Sequence, residues 1–206
     1  MAKLYFKYGV MGSGKTTELL QIAHDYETAG KKVLIGKPVT DTKGNNYIVS
    51  RMANLSKKVD VMIEKTVLMR QITAMAEGVS IILIDEAQFL TPNNVADLVL
   101  VAHTLDIPVI CFGLRTTFDG QGFTGASTLF ALADQVEEIS TRAICKVCGK
   151  RLATKNLRII DGTPTFSGDT VVIDDNAKVE YMPVCTTDYL KIAQNEISKV
   201  IDKQSI

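Results

Sequence analysis

Short apolar runs alternate with amphipathic stretches through the first two-thirds of the chain. Leu4-Tyr5-Phe6-Lys7-Tyr8 reads as a strand running into glycine. From Thr16 the period lengthens to that of a helix, with Leu19, Ile22, Ala23 and Tyr26 on one face and Gly30 as its stop. Val33-Leu34-Ile35 gives a second strand, closed by Lys37-Pro38, and residues 39–58 are polar and without clear period, which predicts a long loop. A helix is predicted from Thr66 to Ala76. Ile81-Ile82-Leu83-Ile84 is a continuous apolar run, the mark of a strand buried on both faces. Thr91-Pro92 opens a further helix with Val95, Leu98, Val99 and Ala102 turned inward, and Val109-Ile110-Cys111-Phe112 is another buried strand ending at Gly113.

Strands alternating with helices over residues 1–140 imply an α/β fold, a mostly parallel sheet with helices on both faces. After Thr141 the pattern changes to cysteines, short β-rich pieces and turn pairs such as Asp161-Gly162. The expected domains are therefore residues 1–141, a nucleotide-binding domain, residues 142–192, a small β-rich domain, and residues 193–206, a helical tail.

Composition narrows the class. With 206 residues the chain can bury a proper core, and 23 Lys plus Arg balance 23 Asp plus Glu. No global field would gather nucleic acid or an anionic membrane, so neither is expected as a partner. The first residues lack the apolar core and cleavage site of a signal peptide, and no apolar run approaches the roughly 18 residues of a membrane span. A cytoplasmic location follows as the expectation, and there disulfides are rare. Cys111 lies in a buried strand run and reads as a small core residue, so Cys145, Cys148 and Cys185 need another explanation.

Gly9-Val10-Met11-Gly12-Ser13-Gly14-Lys15-Thr16 matches the P-loop pattern in full, between a predicted strand and a predicted helix. Its glycines let the backbone wrap closely, so several N–H groups and the helix N-terminus face phosphates. Lys15 would neutralise the β and γ oxygens of ATP, and Thr16 offers a hydroxyl to Mg²⁺. The apolar run to Ile84 ends in Asp85-Glu86, where ligands bind in open α/β sheets, and Asp85 suits the Mg²⁺ shell. A glycine-rich turn and a solvated acidic turn are the bland alternatives. The eight matched positions, set between strand and helix, argue against both.

P-loops serve many activities, so the acceptor must come from elsewhere. Met11 to Leu19, Lys37-Pro38 followed by Asp41, Asp85-Glu86-Ala87-Gln88-Phe89, Gly113 to Phe118, Cys145-Lys146-Val147-Cys148, and Tyr181 ahead of Cys185 stand in a fixed order. Together, from about residue 3 to residue 190, they resemble the cytosolic-type (type II) thymidine kinases. The resemblance implies a RecA-like P-loop domain, a zinc-bearing domain and a homotetramer. The implied reaction moves the γ-phosphoryl group of ATP to the 5′-hydroxyl of thymidine, or of deoxyuridine, in pyrimidine deoxynucleoside salvage. Glu86 matches the family's catalytic base, and a carboxylate beside Asp85 is well placed to accept the hydroxyl proton. Met11, Phe89, Leu114, Phe118 and Phe123 match positions lining the base pocket. Val172 and Ile173 match a loop that closes over the base, and Tyr181 matches a residue near sugar and base. Core packing is the competing explanation for the phenylalanines; it is accepted for Phe112.

Cys145-x-x-Cys148-Gly149 has the spacing of a zinc knuckle. The family completes it with a second pair ending in Cys or His, whereas this chain reads Cys185-Thr186-Thr187-Asp188. The fourth ligand is then Asp188, a water, or missing. The expectation is zinc on Cys145, Cys148, Cys185 and Asp188, against a degenerate knuckle whose packing has replaced the metal. His24 and His103, in predicted helices, read as surface or helix-face residues. Two further departures are Asp174-Asp175 where the family's closing loop has glycines, and Lys43 where it has Arg. Neither touches Lys15, Thr16, Asp85 or Glu86, so the chemistry is expected to survive. A nucleic-acid-dependent ATPase and a non-catalytic nucleotide switch are the rival readings.

Overall fold

The structure, a computed structural model, describes residues 1–41, 46–50, 54–65, 68–139, 143–168 and 178–204. The chain forms two compact units. The first comprises Met1–Gly9, Gly14–Arg115 and Gly122–Ile139; the second comprises Val10–Ser13, Thr116–Gln121 and Ser140–Ile206.

In the first unit, β1 (Leu4–Tyr8) leads to α1 (Lys15–Thr28) and β2 (Lys32–Pro38). Then come β3 (Tyr47–Ser50), β4 (Leu55–Lys58), β5 (Val61–Ile63) and α2 (Leu68–Met75). β6 (Val79–Ile84) is followed by a 3₁₀ turn (Ala87–Phe89), α3 (Pro92–Thr104), β7 (Val109–Gly113), α4 (Thr124–Leu132) and β8 (Gln135–Glu138). Six strands form one parallel sheet in the order β5-β2-β6-β7-β1-β8. β7 therefore stands between the strand that feeds the glycine-rich loop and the strand that ends in the acids.

Alternate residues of the central strands feed two cores. Leu34, Ile82, Ile84 and Cys111 pack into the cluster shared with α2, α3 and α4, while Ile35, Ile81, Leu83 and Phe112 face α1. Burial on both faces is why β6 is apolar at every position from Ile81 to Ile84 rather than alternating. Phe112 is fully buried as expected, and so is Cys111, whose thiol pKa burial pushes up. The helix ends follow local chemistry. Gly30, at φ 72°, closes α1 with its N–H donated to Glu27 O, and Thr91 caps α3 in a reciprocal capping box with Asn94, ahead of Pro92.

The loop expected over residues 39–58 is corrected by the structure: β3 and β4 pair antiparallel there as a hairpin. Only Ile48 and Ser50 of β3 turn inward, so the segment carries too few apolar residues to show a strand period.

The second unit is small. β9 (Lys155–Ile160), β10 (Thr163–Thr165) and β11 (Val179–Val184) form an antiparallel sheet in the order β10-β9-β11. α5 follows as one helix over Thr186–Gln204, continuous across the expected start of a tail at residue 193. Its core is Leu157, Val184 and Tyr189 with the two cysteines Cys145 and Cys185. Among the described residues no helix is long and apolar enough to cross a membrane.

Candidate active site and metal centre

β1 delivers Gly9 to the start of the glycine-rich loop, where its N–H donates to Gly113 O at 3.2 Å. Gly14, at φ 93°, occupies the left-handed region open to glycine and turns the chain into α1. Lys15 and Thr16 thus fall in the first turn of the helix, the position that the sequence pattern requires. Lys15 is 8% exposed, with Nζ donating to Gly9 O at 3.0 Å. Burial lowers its pKa from the ordinary value, against the opposing charges of Glu86 and Asp85.

β6 carries Asp85 to the carboxyl edge of the sheet. Its backbone N–H donates to Gly36 O at 3.0 Å, and its carboxylate accepts the Thr16 hydroxyl at 3.2 Å. Burial first, and then the charge of Glu86, push Asp85 up to about 7, opposed by the Glu86 amide, Lys15 and Thr16. Two oxygen donors, Thr16 Oγ1 and Asp85 Oδ2, therefore stand side by side next to a buried ammonium. That donor set suits a hard divalent cation such as Mg²⁺.

Glu86 is half-buried and adopts φ 49°, ψ 36°, a left-handed conformation that few non-glycine residues hold. Such strain collects at functional positions, at a cost of about 1–3 kcal/mol. Gln88 Nε2 donates to Glu86 Oε2, and Gln88 Oε1 accepts the Leu114 N–H at 2.9 Å. Phe89 and Phe123 meet edge to face at 5.6 Å between centroids, and Leu114 is buried. Lys37, 1% exposed, pairs with Asp41 at 3.1 Å, a buried ion pair that the sequence marks only as a motif.

Met11, Phe118 and Tyr181, also expected at the base pocket, belong to the second unit. Met11 N–H donates to Asn156 Oδ1 at 2.9 Å. Phe118 is buried, its ring 3.5 Å from the Arg158 guanidinium carbon and its carbonyl accepting the Tyr189 hydroxyl at 2.7 Å. Tyr181 pairs in register with Arg158 across β9 and β11. Val10, Gly12 and Ser13 of the loop are in this unit too, with Ser13 N–H donated to Val10 O at 3.2 Å. Asn156 and Arg158 were missed in the sequence, where the one hint is a charge inside the apolar run Leu157-Arg158-Ile159-Ile160. Val172, Ile173, Lys43 and Asp174-Asp175 lie outside the described residues.

The second unit also assembles the cysteines. A knuckle closed by the Ile144–Leu152 bridge and by Gly149, at φ 63°, sets Cys145 and Cys148 at one turn. Cys185 follows directly on β11, and the first turn of α5 returns Asp188 to it, with the Tyr189 N–H donated to Cys185 O at 3.0 Å. The four ligating atoms of Cys145, Cys148, Cys185 and Asp188 lie within 4.8 Å of one another. Asp188 Oδ2 accepts from Cys145 Sγ at 3.2 Å and from Cys185 Sγ at 3.1 Å. Thiol hydrogen bonds from Cys148, Cys185 and Cys145 hold the carboxyl at about 2. A tetrahedral zinc with Zn–S near 2.3 Å needs sulfurs about 3.8 Å apart, so this cluster fits the ion with little rearrangement. His24 is exposed, and His103 Nε2 lies 3.1 Å from Asp134 Oδ2; neither is in the cluster.

A parallel sheet that ends in a glycine-rich loop, a buried lysine and paired acids defines a P-loop nucleotide-binding protein. The family model for thymidine kinase matches residues 2–189. A thymidine kinase of Streptococcus gordonii is 42% identical over 192 residues, covering 93% of this chain and 97% of its own. One from Streptococcus pyogenes serotype M3 is 41% identical and one from Streptococcus agalactiae serotype Ia 40% identical, each over 92% of this chain and 97% of their own. The chain belongs to the thymidine kinase family, ATP-dependent phosphotransferases with thymidine as acceptor. A Bacteroides Pif1 structure bound to ssDNA aligns with 15% identity and a TM-score of 0.39 over 68% of this chain and 39% of its own, a likeness too slight to carry weight.

Proposed function

We propose that the phosphoryl transfer is run by Lys15, Thr16, Asp85 and Glu86, and that the acceptor atom is the 5′-hydroxyl of thymidine, with deoxyuridine admitted as well. The observation that carries this is the cluster at the carboxyl edge of β1 and β6. A buried ammonium, a hydroxyl bonded to a buried acid and a half-exposed carboxylate converge within one unit. Glu86 takes the proton as the hydroxyl oxygen bonds to the γ-phosphorus and the bond from phosphorus to the bridging oxygen breaks. Lys15 neutralises charge on the ATP oxygens, and its burial strengthens that effect by excluding water. Mg²⁺, when bound at Thr16 and Asp85, supplies further charge neutralisation for the phosphates.

The wall of the base site is assigned to Met11, Phe89, Leu114, Phe118, Phe123 and Tyr181, with Val172 and Ile173 closing over it. Zinc is assigned to Cys145, Cys148, Cys185 and Asp188, where the fit of the donor atoms supports it. The enzyme works in the cytoplasm on salvaged pyrimidine deoxynucleosides, as a homotetramer. Exposed Phe130, Leu132 and Val136 on α4 and β8 supply apolar surface for such an assembly.

The test is product identification by mass after incubation with Mg·ATP and a panel of nucleosides. Thymidine 5′-monophosphate is expected from the native chain. Glu86→Gln should lower kcat about 10²- to 10⁴-fold with ATP binding retained. Full activity in that variant would remove Glu86 from the mechanism.

A further inference from the structure

Gln88 is a buried amide with both ends committed. It is 2% exposed, and a primary amide so buried requires partners for its oxygen and its amino group. Oε1 accepts the Leu114 N–H at 2.9 Å, and Nε2 donates to Glu86 Oε2. The orientation is chemically forced. A backbone N–H can only donate, so it fixes the oxygen toward Leu114 and leaves the amino group for the Glu86 carboxylate. Gly113 makes room for this arrangement: a Cβ there would lie 2.9 Å from Gln88 Oε1 and 3.0 Å from the Gln88 backbone nitrogen.

Glu86 needs such a partner. Its backbone sits in the left-handed region and its side chain is half-buried, so the long carboxylate arm has several rotamers open to it. A base acts only from the rotamer that reaches the acceptor hydroxyl, and displacement of about 1 Å at a reacting group can cost on the order of 100-fold in rate. We infer that Gln88 is the positioning residue for Glu86. It clamps Oε2 of the carboxylate, ties that clamp to the backbone beyond β7, and leaves Oε1 to receive the proton. Gln88 acts through Glu86 and not on the substrate, so this inference rests on Glu86 being the base.

The experiment is steady-state kinetics and thermal melting of Gln88→Glu and Gln88→Met, each alone and combined with Glu86→Gln, in the full chain. Gln88→Glu keeps the shape of the side chain and an oxygen for Leu114, but sets a second carboxylate against Glu86. Gln88→Met removes both hydrogen bonds. Each is expected to lower kcat about 10- to 100-fold with KM for ATP changed less than about twofold. Both should melt below the native chain, Gln88→Met because the Leu114 N–H loses its acceptor and Gln88→Glu because a carboxylate is buried against Glu86. Added to Glu86→Gln, neither replacement should lower kcat further by more than about twofold, since the group being positioned has already gone. Gly113→Ala, which displaces the amide without deleting it, should lower kcat in the same direction.

Multiplying losses in the double variants would overturn the inference and leave Gln88 a merely structural residue. So would single Gln88 variants with native kcat beside a crippled Glu86→Gln. Native kcat in Glu86→Gln itself would overturn the base assignment, and the positioning role with it.

Discussion

In the first unit, the strands from β1 to β8 and four helices enclose two apolar clusters, with Ile82, Leu83, Leu98, Val101, Val109 and Phe112 fully excluded from water. Among the described residues, the second unit offers three short strands and an apolar cluster of five buried residues, of which Cys145 and Cys185 are two. That cluster is much smaller than either cluster of the first unit, so its packing contributes less against the entropy of ordering the segment. The cysteine cluster is therefore part of the core of the second unit as well as its candidate metal site. On the proposed zinc assignment, one chain uses two ways of holding structure still: dense packing in the first unit, and ligand bonds in the second.

Metal removal should separate the two most sharply. Binding at a structural zinc site is worth on the order of 10 kcal/mol to the fold it organises. Chelation is expected to open residues 143–168 and 178–196 to limited proteolysis, read by mass, while fragments from α1, β6 and α3 stay protected. An unchanged cleavage map after chelation would mean that the second unit is held by its packing, and that the comparison is wrong.

Core truncation comes next. Phe112→Ala removes a fully buried ring between β7 and α1 and should cost about 3–5 kcal/mol in denaturant titration, with or without chelator. Leu157→Ala, in the second unit, should cost about 2–5 kcal/mol, with a midpoint that moves with free zinc, since the ion stabilises only the folded form. If both variants responded to zinc alike, the two units would be melting as one and sharing one source of stability.

The same contrast governs how much of the molecule could be read from its residues. Burial on both faces writes itself into sequence as unbroken apolar runs, so β6 and β7 were plain, and the glycine-rich loop with Asp85 and Glu86 followed from spacing. The cap at Thr91 and the stop at Gly30 were equally local. The hairpin of β3 and β4 was not legible, because its strands pair with each other and turn few apolar residues inward, Ile48 chief among them. β8 left no mark either: all four of its residues are exposed, and its pairing with β1 is set by a segment about 130 positions away. In the site, the acids were visible and their support was not. Gln88 reads as one polar residue in a motif, and only the fold reveals that it is buried between Glu86 and Leu114.

The smallest effect expected tests whether polar ties matter in the unit that packing holds. Asp134, about a third exposed, accepts the Leu4 N–H at 2.8 Å and lies 3.1 Å from His103 Nε2. The Leu4 hydrogen bond first, then the His103 and Lys3 charges, hold its carboxyl below the ordinary carboxylate range. A pKa depressed on folding contributes stability above the unfolded value, near about 4, and that stability is lost as pH falls through the folded value. Asp134→Asn keeps an oxygen for Leu4 and removes only the charge, so at pH 7 it should lower stability by less than about 1 kcal/mol. The two stabilities should converge as the pH falls through and below the depressed folded-state value of Asp134, where the carboxyl is neutral like the amide. A gap that persists in acid would show that the carboxylate acts through shape rather than charge. A gap of several kcal/mol at neutral pH would show that the first unit depends on this tie far more than its packed sheet implies.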